Sequence, residues 1–195
     1  MLLENTISLC NLYLMQPLIN KAIKILEKGG VIIYPSDTIW AIGCDATNQE
    51  AIDKIFDIKK RDYSMPLICL IDSIKMLEKY VYVNDFIKSF LKSNTIPTTI
   101  IYEQIKNLST FKKSVGIRIP NDSFCQELIK RFGKPITSTS VNFSGKKFPS
   151  CFDEIDSEIL EMVDYVVKIN LNKKISKASR IIKVNNDNTI KTLRS

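Results

Sequence analysis

Ser36, Asp37 and Thr38 stand directly after the apolar run Val31-Ile32-Ile33-Tyr34, and Lys59-Lys60-Arg61 follow one helix-length later. Hydroxyls and a carboxylate at a strand end can hold the ammonium, carboxylate or hydroxyl groups of a small molecule. Cations where a helix stops can hold phosphates, arginine through its planar fork. Each feature also has a plain structural reading. Asp and Ser bond to nearby backbone in turns, and a helix C-terminus favours cations. The segment Thr137-Ser138-Thr139-Ser140-Val141-Asn142-Phe143-Ser144-Gly145 is denser in polar groups. Strand alternation puts Ser138 and Ser140 on one face, with Asn142 beside them if the extended conformation persists. Such a row suits a nucleotide or amino-acid ligand; a polar edge strand is the competing reading. Arg118 lies inside the apolar stretch Val115-Gly116-Ile117-Arg118-Ile119. An arginine there is seldom buried without an anionic partner, either a protein carboxylate or a ligand.

What is missing narrows the chemistry. The chain has no histidine, which removes imidazole bases, Ser–His and Cys–His pairs and His-ligated zinc together. Its five cysteines, Cys10, Cys44, Cys69, Cys125 and Cys151, are widely spaced with no C-x-x-C pair. That pattern argues against a disulfide framework or a structural zinc site, and no protein-held metal is expected. There is no Walker A sequence and no G-x-G-x-x-G, and only six glycines. Phosphates would have to be held by separated cations and hydroxyls rather than by a glycine-rich loop. Lys and Arg number 28 against 21 Asp and Glu, a net charge of +7. That balance favours anionic partners such as nucleotides or RNA, although a lysine-rich surface accounts for it equally well.

The elements that must position these groups are legible in outline. The 195 residues, 45% of them apolar, predict one compact domain with a sizeable core. Residues 17–28 read as a helix, with Pro17 at its first position and Gly29-Gly30 as its stop. The preceding residues 1–16 carry Glu4 and no early Lys or Arg, unlike a secretory signal, and are expected to form an arm or an extra strand. No apolar stretch reaches the ~20 residues of a membrane span, and the unpaired spacing of the cysteines leads to the expectation of a reducing, cytoplasmic setting. Thr47-x-x-Glu50 reads as a capping box for a helix ending at the Lys59 cluster. Strands are predicted at 31–34, 66–71, 98–102, 115–119, 135–139 and 165–169. Helices are predicted near 73–80, 84–92, 121–132 and 153–163, and a terminal hairpin at 180–184 and 189–193. Two helices in a row and a closing hairpin predict an α/β fold with a mixed rather than uniformly parallel sheet.

In combination, these motifs resemble the YrdC/TsaC family of L-threonylcarbamoyladenylate synthases. Pro35-Ser36-Asp37-Thr38-Ile39-Trp40-Ala41-Ile42-Gly43 is similar to the family's P-T-[ED]-T-x-[YW]-G-[LI]-G. Lys59-Lys60-Arg61 is similar to its K-x-R, Gly116-Ile117-Arg118-Ile119-Pro120 to V-x-[VI]-R-[VI]-P, and Thr139–Gly145 to T-S-A-N-x-S-G. Ser179-Arg180-Ile181-Ile182 and Leu193-Arg194 resemble S-T-I-[IV] and a terminal [LI]-R. The match spans about residue 17 to Arg194, and its strength lies in order and spacing rather than in any single piece. Several positions depart from the pattern. Ser36 replaces Thr, Ala41 replaces Gly, Met65 stands where Lys often precedes Pro-Leu, Ile96-Pro97-Thr98-Thr99 replaces P-G-P-[LV]-T, and Arg180 replaces Thr.

The resemblance implies a twisted mixed parallel/antiparallel sheet with flanking helices and a basic concave cavity. It implies a nucleotidyltransferase that makes L-threonylcarbamoyl-AMP from L-threonine, bicarbonate and ATP with Mg2+, releasing pyrophosphate. The product serves t6A37 modification of ANN-decoding tRNAs through a separate transferase complex, and tRNA or double-stranded RNA are further expected partners. By residue, it puts Lys59, Arg61, Ser140 and Asn142 at the reaction centre and ATP. It puts Ser36, Thr38, Arg118 and Ser138 around threonine, and Ser114, Ser179 and Arg194 on the nucleotide. The alternative is a non-catalytic, RNA-binding or ribosome-associated protein of the YciO type. Members of that group tend to lose K-x-R and S-x-N, both of which this chain keeps.

Overall fold

A computed structural model describes residues 2–172, 174 and 177–195, and the side chains from residue 13 onward among them. The first element, α1 (Leu2–Glu27), runs straight through Pro17. Over residues 2–16 this corrects the expectation of an arm or strand with a helix beginning at Pro17; residue 1 lies outside the described residues. Met15, Ile19, Ala22 and Leu26 are all buried, spaced i, i+4, i+7 and i+11. That stripe starts before the proline, so core burial offsets the one backbone hydrogen bond that Pro17 cannot donate.

The chain then forms β1 (Ile32–Pro35), β2 (Trp40–Gly43), α2 (Gln49–Lys59), β3 (Ile68–Leu70), α3 (Ile74–Tyr80), α4 (Asp85–Ser93), β4 (Thr98–Tyr102) and β5 (Val115–Arg118). After these come α5 (Ser123–Phe132), β6 (Ile136–Ser140), a 3-10 turn at Phe152–Glu154, α6 (Ser157–Met162), β7 (Tyr165–Val166), β8 (Arg180–Val184) and β9 (Ile190–Arg194). Two predicted boundaries shift. The helix expected over 153–163 is split, because Asp156 caps a fresh start at Ser157 by accepting from the Glu158 amide. The extended segment 165–169 pairs only over Tyr165 and Val166. The capping box also changes: Asn48, not Thr47, caps α2 by accepting from the Ala51 amide, while Thr47 bonds Asp45 Oδ1.

Nine strands form one sheet in the order β7-β1-β2-β6-β3-β5-β4-β8-β9. The sheet is mixed: β1–β7, β3–β5 and β4–β8 are parallel, and the other neighbours antiparallel. Register decides what each face carries. One row across the sheet is Cys69, Ile117, Ile100 and Ile182. All four are buried in the main core with α1, α3, α4 and α5. The alternate row is Ser138, Ile68, Gly116, Ile101 and Lys183, and it points to the opposite face. On that opposite face, a second core of Val31, Ile33, Trp40 and Ile42 with α2 and Ile159 of α6 covers β1 and β2. Over β6, β3, β5, β4 and β8 the second face opens into a cavity. No helix among the described residues is long and apolar enough to cross a membrane.

Candidate active site

The cavity has a volume of about 440 Å3, within the range of small-molecule sites. Thr38, Arg61, Arg118, Ser138, Ser140, Ser179 and Arg194 all line it. They come from the β1–β2 turn, the end of α2, β5, β6 and the terminal hairpin region, so 157 positions of sequence converge on one surface. Ile39, Ile68, Ile101, Ile181, Met65 and Phe148 add an apolar wall, and Gly116 lies on its floor. Among the described residues that line it, three are arginines and none is acidic.

The end of α2 sends its three cations in three directions. Lys60 takes a left-handed conformation, φ +49°, and its N–H bonds Asp57 O while the Arg61 N–H bonds Phe56 O. This closes the helix in a Schellman-type turn. Lys59, 1% exposed, donates from Nζ to the backbone carbonyls of Ser140 and, at 2.7 Å, Asn142. Its own carbonyl accepts from the Ser144 amide at 2.9 Å. Burial, and next the charge of Arg61, bring the Lys59 ammonium down to about 7. Lys60 points outward to Glu158 at 2.8 Å. Arg61 points into the cavity, with Nη1 donating to Thr139 Oγ1 and Nη2 to Pro66 O, each at 3.1 Å. Its Nε is buried with no hydrogen-bond partner among the described residues.

The β1–β2 turn is built on Ser36. Its Oγ accepts from the Thr38 and Ile39 amides and donates to Ile39 O at 2.8 Å. With that proton committed, Thr38 supplies the proton in the 3.2 Å contact between the two hydroxyls. Arg118, 3% exposed, donates from Nη2 to Thr38 Oγ1 at 3.1 Å and from Nη1 to Asp37 Oδ1. Asp37 Oδ2 also accepts from the Asn121 amide at 2.9 Å. The arginine inside an apolar strand therefore has a protein carboxylate as its partner, and it still faces the cavity. At the far side, Ser179 Oγ meets Thr99 Oγ1 at 2.9 Å, and Arg194 Nη2 donates to Ser179 O at 2.8 Å. Burial lowers the pKa of Arg61 and of Arg194.

Four of the eleven residues that the resemblance assigns to the site do not line the cavity. Ser36 and Lys59 lie one layer behind, holding Thr38 and the Ser140–Ser144 turn. Asn142 anchors that turn through Nδ2 to Phe143 O and Lys146 O, and its buried Oδ1 has no partner among the described residues. Ser114 precedes β5 outside the cavity. Sequence reasoning missed Gly116 and Thr139. A glycine inside an apolar strand is a signal of close backbone approach, and Thr139 belongs to the hydroxyl cluster already noted.

The fold and site together define an α/β protein with an arginine- and hydroxyl-lined, nucleotide-sized cavity on the open face of a mixed sheet. A family model described as "Telomere recombination", that of the Sua5, YciO and YrdC proteins, matches residues 24–195, and the chain belongs to this family. It is 38% identical over 177 residues to a Methanocaldococcus jannaschii protein with the provisional name threonylcarbamoyl-AMP synthase, covering 87% of this chain and 84% of that one. It is 31% identical over 160 residues to the threonylcarbamoyl-AMP synthase of Pseudoalteromonas translucida, covering 78% and 86%. Escherichia coli YciO, an uncharacterized protein, is 30% identical over 159 residues, covering 78% and 77%. Among solved structures, P. abyssi Sua5 complexed with L-threonine aligns with a TM-score of 0.72 at 21% identity. That alignment covers 85% of this chain and 50% of Sua5, so the chain spans about half of that protein and the likeness is one of fold.

Proposed function

We propose that this protein is a threonylcarbamoyl-AMP synthase: L-threonine, bicarbonate and ATP give L-threonylcarbamoyl-AMP and pyrophosphate. The observation that carries the reading is convergence. Seven side chains picked from five separate sequence segments line one cavity, in a chain whose relatives include named threonylcarbamoyl-AMP synthases. In the reaction, the threonine amine adds to bicarbonate carbon with loss of water, giving a carbamate. A carbamate oxygen then attacks the α-phosphate, and the bond to the pyrophosphate oxygen breaks. No protein nucleophile is needed; positioning and charge neutralisation do the work.

In this reading Arg118 takes the amino-acid carboxylate, with Thr38 and Ser138 beside it. Arg61 and Ser140 face the phosphates, where the unpaired Arg61 N–H fits an incoming oxygen. The apolar wall and Ser179 with Arg194 hold the nucleoside end. Lys59 and Asn142 act on the turn that presents Ser140, Lys59 from Nζ to the Ser140 and Asn142 carbonyls and Asn142 from Nδ2 to Phe143 O and Lys146 O. Mg2+ enters as part of the ATP complex. Among the described residues no acidic side chain lines the cavity, which fits an ion carried in on the phosphates and water rather than one held by a protein cage. The neighbouring carboxylate, Asp37, is committed to Arg118.

The product would feed t6A formation on ANN-decoding tRNAs through a separate transferase. The test is direct. Purified protein with ATP, Mg2+, bicarbonate and labelled threonine should release pyrophosphate and form the adenylate, with threonine preferred over serine. Absence of both products, with RNA retained on the protein, would favour the YciO-type reading instead.

A further inference from the structure

Arg118 is addressed from two sides. The cavity meets it on one side. On the other, a separate recess of about 290 Å3 contains Asp37 and Asn121 but not Arg118. Asp37 therefore reaches the guanidinium from the side away from the cavity. Its two oxygens serve two different donors, Arg118 Nη1 and the Asn121 backbone amide at 2.9 Å. The carboxylate is 10% exposed and the guanidinium 3%.

We propose that Asp37 is a positioning residue that sets the affinity of Arg118 for the carboxylate of the amino-acid substrate. This rests on the function proposed above. The chemistry of the contact is selective. Two N–H donors converge on residue 37, so two acceptor oxygens are required. A carboxylate supplies both; an amide supplies one acceptor and one donor, whichever way it is turned. Asn121 stands immediately before Asp122, which caps α5 by accepting from the Cys125 amide at 3.0 Å. Through Asp37 the guanidinium is thus tied to the start of a helix as well as to its own strand. Thr38 fixes Nη2 from the neighbouring residue of the same turn. Held at both nitrogens, the fork meets a ligand without losing side-chain freedom on binding. The pair is also neutral as a unit, so a buried guanidinium can wait in the empty site without an uncompensated charge. Affinity for the substrate carboxylate then depends on where the remaining N–H groups point, and Asp37 determines that.

The experiment compares wild type, D37N, D37E and R118Q, with the double variant D37N/R118Q. Initial rates of pyrophosphate release are measured while threonine and ATP are varied separately. D37N should raise the KM for threonine about tenfold, the size of one lost charge-assisted hydrogen bond, and leave the KM for ATP within about twofold. D37E keeps both oxygens and the charge, so it folds. Its extra methylene displaces the fork, and the threonine KM should rise severalfold. Because Asp37 acts through Arg118, D37N should add little in the R118Q background, whereas a general loss of structure would add fully and raise both KM values. Threonine KM values within twofold of wild type in both D37N and D37E would overturn the inference. So would equal rises for threonine and ATP, or additive effects in the double variant. A wild type that does not turn over threonine would instead overturn the proposed function.

Discussion

Gly116 offers a sharp test of whether the cavity is the working site. It lies on the floor, and a Cβ built there would sit 3.0 Å from Thr99 Cγ2, 3.3 Å from Ile101 Cδ1 and 3.6 Å from Ile68 Cγ1. All three are side-chain atoms and the two nearer ones are methyl tips, so alanine needs shifts of only a few tenths of an ångström. Replacing glycine in a strand gains ~0.5–1 kcal/mol of chain entropy, and mild crowding opposes it. G116A should therefore change stability by less than ~1 kcal/mol, about 2–4 °C in Tm for a chain of this size. Valine adds two methyls beyond those tips, where the side chain can only enter the cavity. A ligand lifted by ~1 Å from its reacting position loses on the order of 10²-fold in rate. G116V should therefore lose at least ~30-fold in kcat/KM for ATP and threonine while melting cooperatively within a few degrees of wild type. The assay is pyrophosphate release, paired with thermal denaturation by circular dichroism. If G116V keeps kcat/KM within twofold and its fold, the ligand does not lie on this floor and the site assignment fails.

Two further outcomes follow from the cations around the cavity. Lys59 falls from about 10.5 unfolded to about 7 folded, so between those pH values the unfolded chain binds the extra proton. Stability should rise with pH across that window, by at most ~1.4 kcal/mol per pH unit, and level off below pH 7 where both states are protonated. K59M removes this slope; parallel urea-denaturation curves for wild type and K59M from pH 7 to 10 would refute it. Met65, 46% exposed, lines the same cavity as Arg61, which the proposed function puts at the phosphates. M65K should lower the KM for ATP about threefold at low ionic strength, the gain shrinking as salt screens it. An unchanged KM at low salt would place the phosphates away from Met65.

Local chemistry carried much of the prediction. The helix at 121–132 was legible because Asp122 and Gly133 mark its two ends. Strands at 98–102 and 115–119 were legible because their apolar runs are β-branched and bounded by turn residues. Residues 2–16 were misjudged because Pro17 is a strong local signal, and only packing of Met15 with Ile19 and Ala22 outweighs it. The same logic moved the α2 cap to Asn48, since Thr47 found a better partner in Asp45.

By itself the sequence determined the element types, the absence of imidazole chemistry, and the set of hydroxyls and cations from which a phosphate site could be made. Residue types carry that information because donors, acceptors and charge are properties of single side chains. Which of them face the cavity was decided only by tertiary structure. Lys59 and Arg61 are two residues apart, yet Lys59, at the end of α2, is buried against the Ser140 and Asn142 carbonyls, while the left-handed turn at Lys60 aims Arg61 into the cavity. Arg118 was expected to face a protein carboxylate or a ligand. Strand register and the β1–β2 turn give it the carboxylate of Asp37 and still leave it lining the cavity. Such choices depend on contacts between positions some 80 residues apart, which no local pattern encodes.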